Sequence, residues 1–345
     1  MMTENLSAYL NEKQKELSFS GAFYGRKGKT IITGSRGYAN WSEKLENQVD
    51  TRFSIASGSK IFTATAICML VEEGKITFES RLCDCLDIEF PHFNSGITIH
   101  QLLTHTSGVP DYFNEDVMED YEELWNECPA YMVRSPRDFL PLFQHERMQA
   151  EPGSPFQYNN TGYILLGLII EHLAKVSFTE FVEERIFRKA EMQDSGYFEM
   201  DQLPERTVLG YIENEDGSWR TNIYSLPAKG GPDGGAYTTV SDMAKFWNAL
   251  TANELLTKEM TANLTKPREA VDEDGLIDYG YCGYMAVDNQ HNVLKYIQMG
   301  YDPGVNFRAV YIPGEEAYIA VCSNHSEGAY EMLKVIEERL ELDVD

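Results

Sequence analysis

The stretch SIASGSKIFTATAICMLVEEG, residues 54–74, places a lysine at the head of an otherwise apolar run. Long charged side chains are seldom buried without a partner. Residues 61–71 are apolar on nearly every face, which marks a central buried helix. The pattern predicts helix from Ser57, with Gly74 as its C-terminal stop. Residues three apart share a helix face, so Ser57 falls one turn before Lys60. A helix N-terminus favours negative charge developing there. Serine is a poor nucleophile until a base takes its proton. A lysine in apolar surroundings has its neutral form favoured and can be that base. Ser-x-x-Lys occurs once, at 57–60. The rival reading is an N-capping serine and a surface lysine, against which the apolar run argues.

A third group must relay the proton and assist the leaving group. Tyr-x-Asn begins at Tyr9, Tyr38, Tyr112 and Tyr158. Only PGSPFQYNNTGYILLGLIIE, residues 152–171, sets it after a Pro-Gly turn and directly before a long apolar helix (158–176). That context favours Tyr158 with Asn160.

Outward from these helices, residues 18–38 alternate around RKGK and predict a β-hairpin. ITIHQLLTHTSGVPDYF (97–113) reads as a short helix and a turn, and 115–157 as irregular structure with short helices. KGGPDGGAY (229–237) reads as a flexible wall of a cleft, since its glycines lack the strand-then-helix setting of a phosphate loop. SDMAKFWNAL (241–250) predicts a helix capped by Ser241. YGYCGYMAV, NVLKYIQMG, VNFRAVYI and AYIAVCSN read as four strands, the last two joined by a PGEE turn, and 326–340 as a helix capped by Ser326.

Strands at both ends must pair, because an isolated hairpin is marginally stable. The expected class is α+β: one antiparallel sheet from both termini, flanked by helices, with a mainly helical region inserted. The expected division of this single 1–345 unit is a sheet part, about 1–75 and 255–345, and a helical part, about 76–254.

The formal net charge of −26 excludes nucleic acid and anionic membrane as expected partners. No apolar segment follows a basic start, and none approaches a bilayer span. Six scattered cysteines read as reduced thiols. A cytoplasmic location follows as the expectation. The histidines are unclustered, so neither metal nor cofactor is expected.

IASGSKIFTA, ITIHQLLTHTSGVPDYF, PGSPFQYNNTGYILLGLIIE and GGAYTTVSDMAKF, in this order, resemble the serine hydrolase family of class C β-lactamases, DD-peptidases and related esterases. The resemblance runs from about residue 18 to the C-terminal helix and implies a β-lactamase/DD-peptidase-like fold. It implies Ser57 as acyl-forming nucleophile, Lys60 as its base and Tyr158 as proton-transfer group. It further implies Asn160 as a substrate-orienting amide, and the backbone N–H groups of Ser57 and Tyr301, after Gly300, as the oxyanion hole. His105 is expected to hold its loop. Tyr112 is a candidate for the substrate entrance, and the aromatics of 112–131, Trp125 included, for an acyl-side pocket.

One departure stands out. The family's third motif carries Lys-Thr-Gly or His-x-Gly before a Pro-Gly turn, whereas this chain has YIQMGYDPGVNF. Gln298-Met299-Gly300 falls on the motif. Gln298 can donate a hydrogen bond but carries no charge, and Lys295 should lie on the opposite strand face. The expected substrate is therefore a neutral ester or amide, small or peptide-like, with β-lactamase activity disfavoured. The alternative is a penicillin-binding-like binding or sensing protein with weak turnover.

Overall fold

The computed structural model describes residues 2–113, 118, 121–126, 128–272 and 274–342. The parts of the 115–157 reading that fall on 115–117, 119–120 and 127 lie outside them.

Eight strands form one antiparallel sheet: β1 Gly21–Lys27, β2 Thr30–Arg36, β3 Pro267–Ala270, β4 Ile277–Gly280, β5 Gly283–Val287, β6 Val293–Asp302, β7 Val305–Ile312 and β8 Ala317–Ser323. Their order is β2-β1-β8-β7-β6-β5-β4-β3. The termini meet where β1 pairs with β8, Gly21 opposite Ser323 and Lys27 opposite Ala317. The fold is the α+β arrangement expected of the β-lactamase/transpeptidase type.

The main helices are α1 Met2–Glu16, α2 Lys60–Glu72, α3 Ile99–Leu103, α4 Asn160–Ala174, α5 Val240–Thr251 and α6 Ala329–Arg339. Strand alternation gives each sheet face its own core. Phe23, Ile32, Val310, Ile319 and Val321 pack against Met332, Leu333 and Ile336 of α6. Ala22, Phe307, Ala309, Ala320 and Cys322 join the larger core that holds α2, α4 and α5. Helix α5 lies against β8 and β1, and α2 against α4.

Several local expectations are corrected. Ser57 is not in the α-helix: Ala56–Ser59 form a 3-10 turn and α2 begins at Lys60. The cap of α5 is Thr239, whose Oγ1 accepts from Asp242 N at 3.1 Å, not Ser241. Helix α6 starts after Gly328 with no side-chain cap, and Ser326 Oγ instead accepts from Gly304 N. The expected strand YGYCGYMAV is two strands, because β4 turns back at Tyr281-Cys282 to pair with β5. Gly283, at φ +113°, permits that turn. Among the described residues no helix is long and apolar enough to cross a membrane.

Candidate active site

The cleft, a cavity of about 520 Å³, opens between β6 and the segments leading into α2 and α4. Of the residues singled out from sequence, Ser57, Lys60, Tyr112, Tyr158, Asn160, Gln298, Gly300 and Tyr301 line it.

Lys60 is 4% exposed, so its ammonium or amine must find partners inside the protein. Its Nζ lies 3.0 Å from Ser57 Oγ, 2.8 Å from Asn160 Oδ1 and 2.5 Å from the Asp233 carbonyl oxygen. Three chain segments, far apart in sequence, therefore converge on one nitrogen. Tyr158 presents its ring centroid 4.9 Å from the same Nζ.

The turn that carries Ser57 is held in place by the 229–237 loop. Ala56 has φ 45°, a left-handed conformation that needs support in a residue with a Cβ. Its carbonyl accepts from Gly235 N and from Ser59 Oγ, while Ser59 Oγ accepts from Ala236 N. Pro232 O accepts from Thr63 Oγ1 at 2.6 Å, on the turn of α2 after Lys60. The expected flexible wall is thus a backbone clamp on the start of α2. Its GGPDGG spelling gave no signal of this, because the partners are carbonyls and amides common to all residues.

Asn160 opens α4, and the helix start is tied down twice. Asn159 Oδ1 accepts from Gly162 N, and Asp111 accepts from the backbone N–H groups of Asn160 and Thr161, each at 3.0 Å. Burial pushes the Asp111 carboxyl up to about 7, against the pull of those two N–H groups. Tyr112, next along, is buried; its hydroxyl donates to the Asp233 carboxylate. Burial also raises the Asp233 carboxyl above its ordinary value, with Lys60 and Tyr112 opposing. Sequence reading missed both aspartates, whose partners lie at least 49 residues away along the chain.

His105 holds its loop, as expected. Nδ1 accepts from Asn159 N at 3.0 Å, so Nε2 carries the proton toward the Tyr279 hydroxyl, also at 3.0 Å. Burial, then the nearby Lys60, keep the imidazole neutral by lowering its pKa well below the usual value.

The β6 strand closes the other side. Gly300 lies so near the Ser57 turn that a Cβ there would stand 2.0 Å from Ile55 O and 2.9 Å from Gly58 N. Gln298 is 4% exposed, and its Oε1 accepts from the indole N–H of Trp247 on α5 at 3.0 Å. Lys295 is on the opposite face, as expected, paired with Glu337 of α6 at 2.9 Å. The third motif thus offers no cation beside Ser57. Tyr301 is exposed at the rim. Phe113, Tyr121 and Phe139 line the cleft beside Tyr112, whereas Trp125 does not: its indole donates to Ser225 O.

The Beta-lactamase family model matches residues 8–341. The chain belongs to that family. Penicillin-binding protein 4* of Bacillus subtilis is 28% identical over 98% of this chain and 75% of its own length. A penicillin-binding protein structure from Bacillus halodurans is 47% identical, with a TM-score of 0.91 over 96% of this chain and 99% of that one. The D-amino acid amidase of Ochrobactrum anthropi is 20% identical with a TM-score of 0.77, over 97% of this chain and 99% of that one, and shares the fold. The family is one of serine hydrolases. Within it, a serine hydroxyl beside a buried amine is an arrangement suited to acyl transfer.

Proposed function

We propose that the protein is a serine hydrolase that opens an ester or amide through an acyl-enzyme. The observation that carries this reading is the placement of Lys60 Nζ between Ser57 Oγ, Asn160 Oδ1 and Asp233 O. In the state that accepts a proton, Lys60 is the neutral amine, with two N–H donors and one lone pair. Asn160 Oδ1 and Asp233 O absorb the two donors, which leaves the lone pair for the Ser57 hydroxyl proton.

Ser57 Oγ attacks the carbonyl carbon as its proton passes to Lys60. The backbone N–H groups of Ser57 and Tyr301 receive the oxyanion, a role in which one donor is worth about 3 kcal/mol. Tyr158, against Lys60, passes a proton to the leaving alcohol or amine. Water, losing its proton by the same route, then releases the acid and restores Ser57. The amide nitrogen of Asn160 is left to orient a substrate oxygen. The whole chain acts as one catalytic unit, with sheet and helical parts meeting at the cleft. All six cysteines are unpaired, which supports a reducing, cytoplasmic setting.

A fluorophosphonate probe, a panel of p-nitrophenyl esters and a chromogenic cephalosporin test the reading together. Covalent labelling and ester turnover are expected in the wild type and lost in Ser57→Ala. Labelling that survives Ser57→Ala sinks the nucleophile assignment. The second reading, a binding or sensing protein of weak turnover, is motivated by the uncharged Gln298; labelling at Ser57 without ester turnover would favour it.

A further inference from the structure

Tyr158 stands two residues before α4, in a segment, 156–159, that is neither helix nor strand. A phenol that hands a proton to a leaving group needs a fixed place, and this segment must borrow its order from elsewhere. His105 supplies it on both sides. The His105 carbonyl accepts from Gln157 N at 2.9 Å, and Nδ1 accepts from Asn159 N at 3.0 Å. One residue thus holds the amides before and after Tyr158. The imidazole also lies against the Tyr158 ring, with centroids 4.6 Å apart and 34° between the planes. On the far side of that ring, its centroid is 4.9 Å from Lys60 Nζ.

His105 is itself held firmly. Its backbone is left-handed, φ 58°, in a residue with a Cβ, and such strain persists only where the surroundings over-determine it. The side chain is 2% exposed, with the rings of Tyr279, Tyr163 and Phe156 at 4.8, 5.2 and 5.5 Å. The direction of its proton is fixed as well. Nε2–H donates to the Tyr279 hydroxyl, Tyr279 can donate to Tyr163 at 3.4 Å, and Tyr163 donates to Leu103 O at 3.3 Å. Each proton in that chain has one acceptor, and the chain ends on a backbone carbonyl of α3. The opposite tautomer would set an imidazole N–H against the Asn159 N–H.

We infer that His105 is the positioning residue of Tyr158: it sets where the phenol stands against Lys60, and so how well a leaving group is protonated. Holding its own loop is the local part of this role. The larger part falls on the segment that carries the proton donor, reached through one carbonyl, one ring nitrogen and one ring face. The effect on rate rests on the hydrolase reading; the placement of the ring does not.

The test compares the ethyl and p-nitrophenyl esters of phenylacetic acid. Nitrophenolate leaves without a proton, whereas ethoxide must receive one, so a displaced Tyr158 penalises the ethyl ester selectively. His105→Gly accepts the left-handed backbone and lacks both the acceptor and the ring. His105→Asn tolerates that backbone and keeps an acceptor for Asn159 N, but lacks the ring. In His105→Gly, kcat/KM for the ethyl ester is expected to fall roughly 10²-fold, the order that a misplacement of about 1 Å costs, and that for the nitrophenyl ester far less. His105→Asn should recover part of the loss. The ratio of the two esters on one sample is unaffected by a partly unfolded fraction. Added to Tyr158→Phe, His105→Gly should change the ratio no further, since both act through one phenol. Equal losses on the two esters, or a ratio that changes further in the double variant, overturn the inference. In parallel, an NOE from the Tyr158 ring protons to the Lys60 ε-methylene, read on selectively labelled protein, is expected in the wild type and lost in His105→Gly. Turnover of neither ester by the wild type would sink the hydrolase reading and leave the placement to the NOE. An NOE of unchanged strength in His105→Gly overturns the placement.

Discussion

Lys60 meets Asp233 through the backbone, not through the carboxylate: Nζ donates to the Asp233 carbonyl oxygen, and the carboxylate takes the Tyr112 hydroxyl. The carboxylate is therefore a buried acceptor held by a phenol, in a site where burial already raises its pKa. Tyr112→Phe removes a donor that favours the ionised form, so the carboxyl rises further. A raised carboxyl weakens the fold as pH climbs from the unfolded to the folded pKa. The expected cost is about 1–3 kcal/mol at pH 8, the usual penalty for an orphaned buried acceptor, and less at pH 5. Urea unfolding at the two pH values reads the difference.

Asp111 gives the larger pH effect. Its carboxyl is buried and stands at about 7, against an ordinary 3.8. Its stabilising share is complete below the unfolded pKa and is lost as pH rises toward 7. Asn can still accept from the N–H groups that open α4, but cannot ionise. Relative to Asp111→Asn, the wild type should lose up to about 4 kcal/mol between pH 4 and pH 7, at about 1.4 kcal/mol per pKa unit. The variant's urea midpoint should gain on the wild type across that interval. Parallel midpoints would mean that the carboxyl is not shifted.

The framework was legible because it rests on periodicity. The apolar run 61–71 announced α2, and alternation announced β1, β2 and the last three strands. The proposed pair was legible because Ser57 and Lys60 are three residues apart. What stayed hidden depends on partners distant in sequence. Gly235, Ala236 and Pro232 fix the start of α2 through backbone atoms, which no residue type advertises. Trp247 fixes Gln298 across 51 positions. The caps at Ser241 and Ser326 were each misplaced by two residues, since Thr239 and Gly328 compete for the same local role.

Gly300 is where β6 and the Ser57 turn touch. A methyl at this position would strike the Ile55 carbonyl and the Gly58 amide, both backbone atoms that cannot swing aside. Gly300→Ala is expected to cost about 3 kcal/mol, at the upper end for overpacking, because one of the two elements must move. Movement of either one shifts the Ser57 and Tyr301 amides relative to each other. Fluorophosphonate labelling should therefore fall at least tenfold under conditions where the variant remains folded by circular dichroism. Full labelling would show that the approach is not needed for the site.

Lys60→Met keeps the stem of the side chain and removes the amine. On the proposed reading Ser57 then lacks its base, and positioned bases contribute roughly 10²–10⁴ in rate. Labelling should drop by that factor, and raising the pH should restore only part of it. Asn160 Oδ1 and the Asp233 carbonyl lose a shared donor, which should cost about 1–3 kcal/mol for each acceptor left unsatisfied. A variant that labels at the wild-type rate would remove Lys60 from the reaction.

Gln298 tests whether the side chain at the third motif limits reactivity toward β-lactams. Its side chain is anchored by the Trp247 indole, so a replacement must accept that N–H or leave it unpaired in the core. Histidine can accept it through one ring nitrogen and offer the other toward the cleft. Gln298→His is expected to raise the second-order rate of acylation by a chromogenic cephalosporin at least tenfold over the wild type, read by stopped-flow loss of absorbance and by mass of the acyl-enzyme. Gln298→Met leaves the indole unpaired and should lower thermal stability without that gain. Should both variants acylate at the wild-type rate, the side chain at this position would not be what restrains β-lactam chemistry. The limit would then lie with the approach to Ser57.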